Sequence, residues 1–393
     1  MVGVIADDLT GAAELGAVGL RHGLKAEIVL SGAPSGEADL VCVDTDSRYC
    51  EPEEAGRRAV AGARLLTGAG VKWFYKKVDS VLRGEVTAEV EALMRELGRD
   101  VALLVPANPS LGRVIRDGQY LIRGVPIHQT EFVHDPGHPR RSARVLDLVR
   151  PPVSCGIEVR HVRQGLAASG IVLGEAETPE DLRQWAACGI SKALLAGGAE
   201  FFAALLAATG HAVAGSAADA EAGAHPGRAG GGELFVCGST SLSSREFVRA
   251  ARERGGPVVS LPDELGRGGD FTDEACGALA RQAVAALRTH KRVVLNVGLP
   301  PVRERAVAAR LAVQLVQLAE AVLRKGGAAR VYAEGGATAA ELVRRMGWKR
   351  LRVLREMAPG VAMLEVQGAP PLTLILKPGT YVWPEGVRKG VGL

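Results

Sequence analysis

The sequence predicts an α/β protein of two domains, each a mainly parallel sheet flanked by helices. Short apolar strands alternate with helical segments along the chain, which is typical of repeated βαβ units. With 393 residues, of which 47% are hydrophobic, the chain can bury more than one core. The segment 215–232 is rich in Gly and Ala and nearly featureless, so it predicts a linker between domains at 1–214 and 233–393.

In the first domain, local signals place each element. Apolar runs predict strands at 2–5, 26–30, 40–43, 73–75, 101–105, 171–173 and 193–196. The segments between them predict helices at 11–22, 51–67, 85–98, 179–187 and 200–209. Gly23 stops the first helix, and Pro52 opens the second. A hairpin is predicted near Asp117, within a long irregular segment of the kind that is usually functional or mobile.

The second domain repeats this plan of strand, polar turn and helix. Strands are predicted at 234–237, 293–297, 330–333 and 374–377. Helices are predicted after the first strand to about Glu253, over 303–324, and after the third strand to Met346.

Composition excludes several classes of protein. The net charge is only +4 and aromatic residues make up 4%, so Arg140, Arg141 and Arg144 predict a solvated face rather than a nucleic-acid surface. The six cysteines form no C-x-x-C pair, which argues against a zinc knuckle or a disulfide framework. The chain starts directly in a strand, and no apolar run is expected to span a membrane. These features predict a reduced, soluble, cytoplasmic protein.

The turn Ile5-Ala6-Asp7-Asp8-Leu9-Thr10-Gly11 joins the first strand to the first helix. Ligands of open α/β sheets bind at the carboxyl ends of strands, where this turn lies. Asp7 and Asp8 repel each other unless a cation, hydrogen bonds or a substrate hydroxyl compensates their charge. Either Asp8 or Thr10 could instead cap the helix, but a cap needs only one acid.

A second polar turn, Lys76-Lys77-Val78-Asp79-Ser80-Val81-Leu82-Arg83-Gly84, follows the fourth strand. Its charges suit an anionic polyol or a phosphate, because arginine grips a carboxylate with two hydrogen bonds and lysine supplies a point charge. The structural alternative is a solvated loop with an internal pair of Asp79 and Arg83. Further along, His128, His134, Asp135 and His138 are predicted to anchor a loop rather than bind a metal, since Pro136 interrupts the segment.

In the second domain, three turns carry small polar residues. Gly238–Ser241 and Gly335–Thr338 each enter a helix, and Lys377-Pro378-Gly379 ends the last strand. Such helix entries present backbone N–H groups and the positive end of the helix dipole to phosphate, although serine also serves as a simple cap. None of the turns fits a Walker A loop or a dinucleotide fingerprint.

These motifs, together with Gly112-Arg113 and the segment from Thr130 to Asp135-Pro136, resemble the four-carbon acid sugar kinases over nearly the whole chain. That family includes D-threonate, D-erythronate and 3-oxo-tetronate kinases. The resemblance implies an N-terminal acid-sugar domain, a C-terminal ATP domain and an active site in the cleft between them. It implies ATP contacts at Ser239, Ser241, Gly335, Gly336, Ala337, Thr338 and Gly379.

The sequence therefore predicts an ATP-dependent kinase that phosphorylates a hydroxyl of a small sugar acid, with Mg²⁺ bridging the ATP phosphates. No metal ligand is assigned, and whether Asp7 or Asp8 instead faces Mg²⁺ stays open. Asp7 or Asp8, with Asp8 favoured, would accept the hydroxyl proton. The sugar acid would bind to the polar turns, with Lys77 and Arg83 at its carboxylate. The predicted substrate-binding residues are Lys77, Asp79, Ser80, Arg83 and Arg113.

Two other classes of function stay open. A phosphatase could use Asp7 as nucleophile. Such an enzyme needs a second acidic residue two positions later, and that position is occupied by Leu9. A non-catalytic sugar-acid sensor would have lost ATP. The family's Gly-Gly motif commonly has an acidic residue at the position of Ala337. Its Lys-Pro-Gly motif is usually followed by Phe-Gly, whereas here Thr380 follows and shifts the corresponding pair to Tyr381-Val382. No nucleic-acid or membrane partner is expected, and a homodimer is left open.

Overall fold

The computed structural model of the chain describes residues 1–135, 137–189, 192–211, 213, 231–299, 304–368, 371–379 and 381–390. The chain divides into two units, residues 1–216 and 217–393, here called the N-terminal and C-terminal units. Most of the predicted linker, 215–230, and Thr380 lie outside the described residues.

The N-terminal unit is built on a parallel sheet, as predicted. Its strands are β1 (Val2–Ala6), β2 (Ala26–Val29), β3 (Leu40–Asp44), β4 (Trp73–Lys77), β5 (Val101–Val105), β9 (Ile157–Arg160), β10 (Gly170–Gly174) and β11 (Leu194–Gly197). Their order is β2-β3-β1-β4-β11-β5-β10-β9, and all described pairings among them are parallel. The flanking helices are α1 (Leu9–Arg21), α2 (Pro52–Gly68), α3 (Val86–Glu96), α4 (Pro179–Gly189) and α5 (Ala199–Ala208).

The predicted hairpin is part of a small antiparallel sheet of β6 (Arg113–Arg116), β7 (Gln119–Ile122) and β8 (Val125–Pro126). Strand β9 was not predicted from the sequence. It is an edge strand whose residues are half-buried or exposed, so it lacks the continuous apolar run of the central strands. By contrast, every residue of β5, β10 and β11 is buried.

The C-terminal unit also has a parallel core. Its strands are β12 (Gly232–Cys237), β13 (Val258–Ser260), β14 (Arg292–Asn296), β15 (Ala328–Glu334), β16 (Arg350–Ala358), β17 (Val361–Val366) and β18 (Thr373–Lys377). The order is β13-β14-β12-β15-β18-β17-β16, with β13 to β15 and β18 parallel and the β16–β17 and β17–β18 pairs antiparallel. The helices are α6 (Leu242–Glu253), α7 (Asp273–His290), α8 (Arg305–Arg324), α9 (Gly336–Met346) and α10 (Glu385–Gly390).

Helix α7 and the hairpin of β16 and β17 were not predicted from the sequence. Both carry local signals. Thr272 caps α7 by accepting from the backbone N–H of Ala275. The hairpin turns at Pro359-Gly360, where Gly360 has a φ of 75°, a conformation that glycine adopts without steric cost.

One helix departs from the expectation about membrane spans. The segment Ala306–Arg324 of α8 is long and apolar enough to cross a membrane by length and composition alone. Its buried side chains include Leu311, Leu315 and Leu318, and α8 packs against α7, α9 and the strands β12 and β14. The apolar residues of α8 therefore cover one face of the sheet.

Candidate functional site

The turns after β1, β3 and β4 meet at one edge of the N-terminal sheet. In the parallel register, Ala6 lies opposite Asp44 of β3 and Lys77 of β4. The carboxyl ends of adjacent parallel strands lie side by side, so the residues that follow them share one site. The polar turns singled out in the sequence are thereby brought together.

Arg48, from the turn after β3, compensates the negative charges of Asp7 and Asp8. Its Nε and Nη2 donate to the two carboxylate oxygens of Asp7 at 2.7 and 3.0 Å, and its Nη1 donates to Asp8 Oδ2 at 2.5 Å. The backbone N–H groups of Ser47 and Arg48 also donate to the carbonyl of Asp7. No role for Arg48 was predicted from the sequence, although the β1–β3 pairing places it next to Asp7.

The two aspartates have different surroundings. Asp8 caps α1, because its carboxylate accepts from the Gly11 N–H at 2.7 Å and from Thr10 Oγ1 at 2.5 Å. Its side chain is 13% exposed, whereas that of Asp7 is 2% exposed. Burial alone would raise the pKa of Asp7, but Arg48 and Lys76 outweigh it and hold the pKa below its ordinary value. Of the two carboxylates, Asp8 is the more accessible to a ligand.

The two lysines of β4 are buried with acidic partners. Lys76 Nζ lies 3.1 Å from Glu89 Oε1, which also accepts from Ser47 Oγ at 2.6 Å. Lys77 Nζ lies 3.1 Å from Glu14 Oε2 and donates to the carbonyl of Val78 at 2.9 Å. Burial would lower the pKa of Lys77, but Glu14 and the two aspartates outweigh it, so the ammonium stays charged.

Arg83 and Asp79 form the internal pair that was the structural alternative, but the pair is largely buried rather than solvated. Arg83 Nε and Nη2 donate to the two oxygens of Asp79 at 2.9 and 2.8 Å, and Nη1 donates to Asp135 Oδ2 at 3.1 Å. Burial would raise the pKa of Asp79, but Arg83 and Arg48 hold it well below its ordinary value. The edge of Arg83 that was expected to grip a substrate carboxylate is already engaged by Asp79.

Ser80 and Arg113 meet beside this pair. Arg113 Nη1 donates to Ser80 Oγ at 2.5 Å, and its guanidinium lies 5.8 Å from the centre of the Phe132 ring. Tyr120 Oη donates to the carbonyl of Ser80 at 2.5 Å. The predicted substrate-binding residues thus form one connected cluster with Asp7 and Asp8.

In its described part, the loop from His128 to His138 is held by hydrogen bonds and a ring contact. Asp135 Oδ1 accepts from the N–H groups of Gly137 and His138, at 3.0 and 2.8 Å. The His138 ring stacks on Tyr49 with centroids 5.6 Å apart. Pro136 and the side chain of His134 lie outside the description. Among the described residues, no group of three or more His, Cys, Asp or Glu could hold a metal ion.

The expectation of a solvated arginine face is wrong for Arg140. This residue is 6% exposed. Its Nη1 donates to the carbonyl of Leu148 at 3.0 Å, while Nε and Nη2 are buried and have no hydrogen-bond partner in the described part of the chain. The following Arg141 is exposed, as predicted. A buried cation cannot be recognised from a run of basic residues, because burial is set by the path of the loop.

In the C-terminal unit, the three polar turns converge. The carbonyl of Gly379 accepts from Ser239 Oγ at 3.2 Å and from Ser241 Oγ at 2.7 Å. The N–H of Gly335 donates to the carbonyl of Lys377 at 2.9 Å. A Cβ on Gly238 would lie 1.9 Å from Thr338 Oγ1, so only glycine permits this approach. Ser241 also caps α6 through the N–H of Ser244.

A row of buried polar residues ends four adjacent strands of this unit. Asn296, Cys237, Glu334 and Lys377 lie opposite one another in register on β14, β12, β15 and β18. Lys377 Nζ lies 3.6 Å from Glu334 Oε2 and donates to the carbonyl of Tyr381 at 2.5 Å. Burial raises the pKa of Glu334 and lowers that of Lys377, with each partner opposing the shift of the other. Through its hydrogen bond to Tyr381, Lys377 thus stabilises the turn that contains Gly379.

A cleft of about 390 Å³ opens beside these turns, at the ends of β12 and β14. The volume falls in the range of about 300–1,000 Å³ typical of small-molecule sites. Asn296 lies in its lining, and its Oδ1 has no hydrogen-bond partner in the described residues. Arg245, Arg249 and Arg252 line the cleft from one side of α6. The cleft therefore combines a helix N-terminus with positive charge, which suits an anionic ligand.

Comparisons with known proteins divide the chain into two parts, as the two structural units do. Residues 2–205 match a sugar-binding N-terminal domain and residues 234–381 a nucleotide-binding C-terminal domain. A D-threonate kinase from Salmonella typhimurium is 30% identical over 325 residues, which cover 75% of this chain and 70% of that protein. A 3-oxo-tetronate kinase from Pseudomonas fluorescens is 28% identical over 427 residues, which cover 100% of this chain and 96% of that protein. The solved structure of a Haemophilus influenzae protein has the same fold, with a TM-score of 0.72, 21% identity and 99% of both chains covered.

The two domain matches span most of the chain, and the relatives named above are sugar-acid kinases. The chain belongs to the four-carbon acid sugar kinase family and is a carbohydrate kinase that acts on a sugar acid.

Proposed function

We propose that this enzyme transfers the γ-phosphate of ATP to a hydroxyl of a four-carbon sugar acid. The observation that carries the proposal is that each of the two units holds one distinct site. A cluster of aspartates and cations ends the strands of the N-terminal unit, and Gly/Ser turns converge beside a cleft in the C-terminal unit. Phosphoryl transfer depends mainly on positioning and charge stabilisation, which such sites supply.

In this proposal the N-terminal cluster holds the sugar acid and Asp8 accepts the proton of the attacking hydroxyl. Asp8 is favoured over Asp7 because Asp7 is nearly inaccessible and both of its oxygens are bound by Arg48. The hydrogen bonds from Gly11 and Arg48 fix the carboxylate of Asp8 in position. A positioned base contributes typically about 10²–10⁴-fold to the rate.

ATP binds in the C-terminal unit. The N–H groups at the start of α6 and α9 face its phosphates, and the nucleoside occupies the cleft lined by Asn296 and Val248. Mg²⁺ enters as the complex with ATP, whose phosphates supply its oxygen ligands. The motif position occupied by Ala337 lies in the first turn of α9, so the backbone there contributes N–H groups whatever its side chain. A cytoplasmic location remains part of the proposal.

A panel assay tests this function against its two alternatives. The protein is incubated with MgATP and D-threonate, D-erythronate or 3-oxo-tetronates, and separately with sugar-acid phosphates. We expect ADP release that depends on one of the acids. Phosphate release from the sugar-acid phosphates would indicate a phosphatase, and binding of an acid without ADP release would indicate a sensor.

A further inference from the structure

Asp7, Asp8 and the predicted substrate-binding residues are here called the acid-binding cluster. Four arginines lie in or next to it, Arg48, Arg83, Arg113 and Arg140, and the first two use the same edge of the guanidinium. The Nε–Nη2 edge of Arg48 binds Asp7, and that of Arg83 binds Asp79. This edge presents two parallel N–H donors that match the two oxygens of a carboxylate. In Arg140 the corresponding Nε and Nη2 atoms are buried and have no partner among the described residues.

The backbone links Arg140 to the acid-binding cluster. The N–H of Arg140 donates to the carbonyl of Phe132 at 3.0 Å, and the N–H of Asp135 donates to the same carbonyl at 3.3 Å. Asp135 in turn binds Arg83 at 3.1 Å, and the ring of Phe132 lies beneath Arg113. Arg140 therefore belongs to the same group of loops as the predicted substrate-binding residues.

The position of Arg140 is energetically unfavourable without a ligand. A guanidinium remains charged in proteins, and burying this charge with most of its N–H donors unpaired is unfavourable. Burial lowers the pKa of Arg140, and although Asp79 opposes this shift, Arg83 adds to it. The single hydrogen bond to Leu148 holds the side chain in place but leaves its two-donor edge unused.

We propose that the Nε–Nη2 edge of Arg140 binds the carboxylate of the substrate and so distinguishes a sugar acid from the neutral polyol of the same length. This inference rests on the proposed function, because it assumes that the substrate is a sugar acid. It reassigns the carboxylate contact from Arg83, whose edge is occupied by Asp79. Both free nitrogens are shielded from water, so a carboxylate bound to them lies in a dry site, where charged hydrogen bonds are strong.

The test compares Arg140→Met, Arg140→Lys and the control Arg141→Met, which removes an exposed arginine next in sequence. Steady-state kinetics are measured with D-threonate or D-erythronate, whichever is turned over, and with the corresponding neutral tetritol. We expect both Arg140 variants to raise KM for the acid by about ten-fold or more, because neither side chain offers two parallel donors. KM for ATP, and the turnover of the tetritol, should stay within about two-fold of the wild-type values.

Binding of the acid without ATP, followed by calorimetry, separates this inference from the proposed function. Weaker binding to both Arg140 variants but not to Arg141→Met would support it even if no phosphoryl transfer were observed. An unchanged affinity for the acid in either folded Arg140 variant would overturn it. An increase in KM for ATP instead would assign the edge to a phosphate and would also overturn it. If Arg140→Met does not fold, Arg140→Lys decides the result, because it keeps the charge.

Discussion

Arg48 donates hydrogen bonds to both Asp7 and Asp8 and so makes two adjacent carboxylates tolerable at one strand end. The sequence predicted that these charges need compensation, and it predicted the helix cap as an alternative for Asp8. It could not identify Arg48 as the partner, because that contact depends on which strand lies beside β1. At the scale of residues, the same limit applies to Arg140, whose burial no basic run reveals.

The two aspartates should respond differently to neutralisation. Asp8→Asn keeps a good cap for α1 and leaves Arg48 bound to both oxygens of Asp7, so we expect a small loss of melting temperature and a fall in kcat of about 10²-fold or more. Asp7→Asn removes a charged partner of buried Arg48, and breaking such a pair costs about 3–5 kcal/mol, so we expect the larger loss of melting temperature. The measurement is kcat and Tm for both variants. Near-normal turnover of Asp8→Asn would place the base elsewhere.

Asp44, at the end of β3, predicts a pH dependence of stability. Loss of hydration raises its pKa to about 8, the hydrogen bond from Asp46 opposes this, and the charges of Asp46, Asp8 and Asp7 add to it. The native state thus keeps a proton up to about pH 8 that the unfolded chain loses near its ordinary pKa of 3.8. This contribution to stability is fully present below that ordinary value and is lost as the pH rises toward 8.

We therefore expect Asp44→Asn, which cannot ionise but still accepts a hydrogen bond, to gain stability relative to the wild type as the pH rises from about 4 to about 8. Melting temperatures of both proteins across this interval provide the measurement. A difference between them that does not grow with pH would show that Asp44 is ionised in the native state.

At the scale of elements, the C-terminal turns depend on glycines that allow close approach. Gly238 directly follows β12 and lies against Thr338 of α9, and Gly379 lies against Ser239. The sequence predicted these turns as separate phosphate-binding candidates. Their convergence follows from the parallel pairing of β12, β15 and β18, which places the three turns at neighbouring strand ends.

Gly238→Ala tests whether this convergence serves nucleotide binding. The new Cβ would lie 1.9 Å from Thr338 Oγ1, so the turn and α9 must separate. We expect KM for ATP to rise about ten-fold or more while the affinity for the sugar acid stays unchanged. Gly277→Ala in α7 is the matched control, because its Cβ meets only the end of Arg281 at 3.6 Å and alanine favours a helix. An unchanged KM for ATP in a folded Gly238→Ala variant would refute the proposed nucleotide site.

The sequence predicted the parallel strands and most of the flanking helices, because buried parallel strands are continuous apolar runs. It missed β9, a mostly half-buried edge strand, and the hairpin of β16 and β17, whose first strand is also mostly half-buried. Its motifs located the polar turns of both units. It could not show that the carboxylate-binding edge of Arg83 is taken by Asp79, since both partners look equally available in sequence.

At the scale of the whole molecule, each of the two units carries one cluster of candidate functional residues. The N-terminal unit contains the aspartates and the buried cations, and the C-terminal unit contains the glycine turns and the cleft. The family matches divide the chain in the same way, into a sugar-binding and a nucleotide-binding domain. Transfer needs both substrates, so changes in one unit should impair the use of one substrate more than the other.

The central claim is that the γ-phosphate of ATP is transferred to the sugar acid with Asp8 as the base. The most direct measurement follows a radiolabelled γ-phosphate from MgATP in the presence of D-threonate or D-erythronate, with the wild type and Asp8→Asn side by side. We predict that the label appears in a phosphorylated sugar acid with the wild type, and about 10²-fold more slowly with Asp8→Asn. Label that stays in ATP or appears only as inorganic phosphate with every acid, or equal transfer by both proteins, would contradict the account.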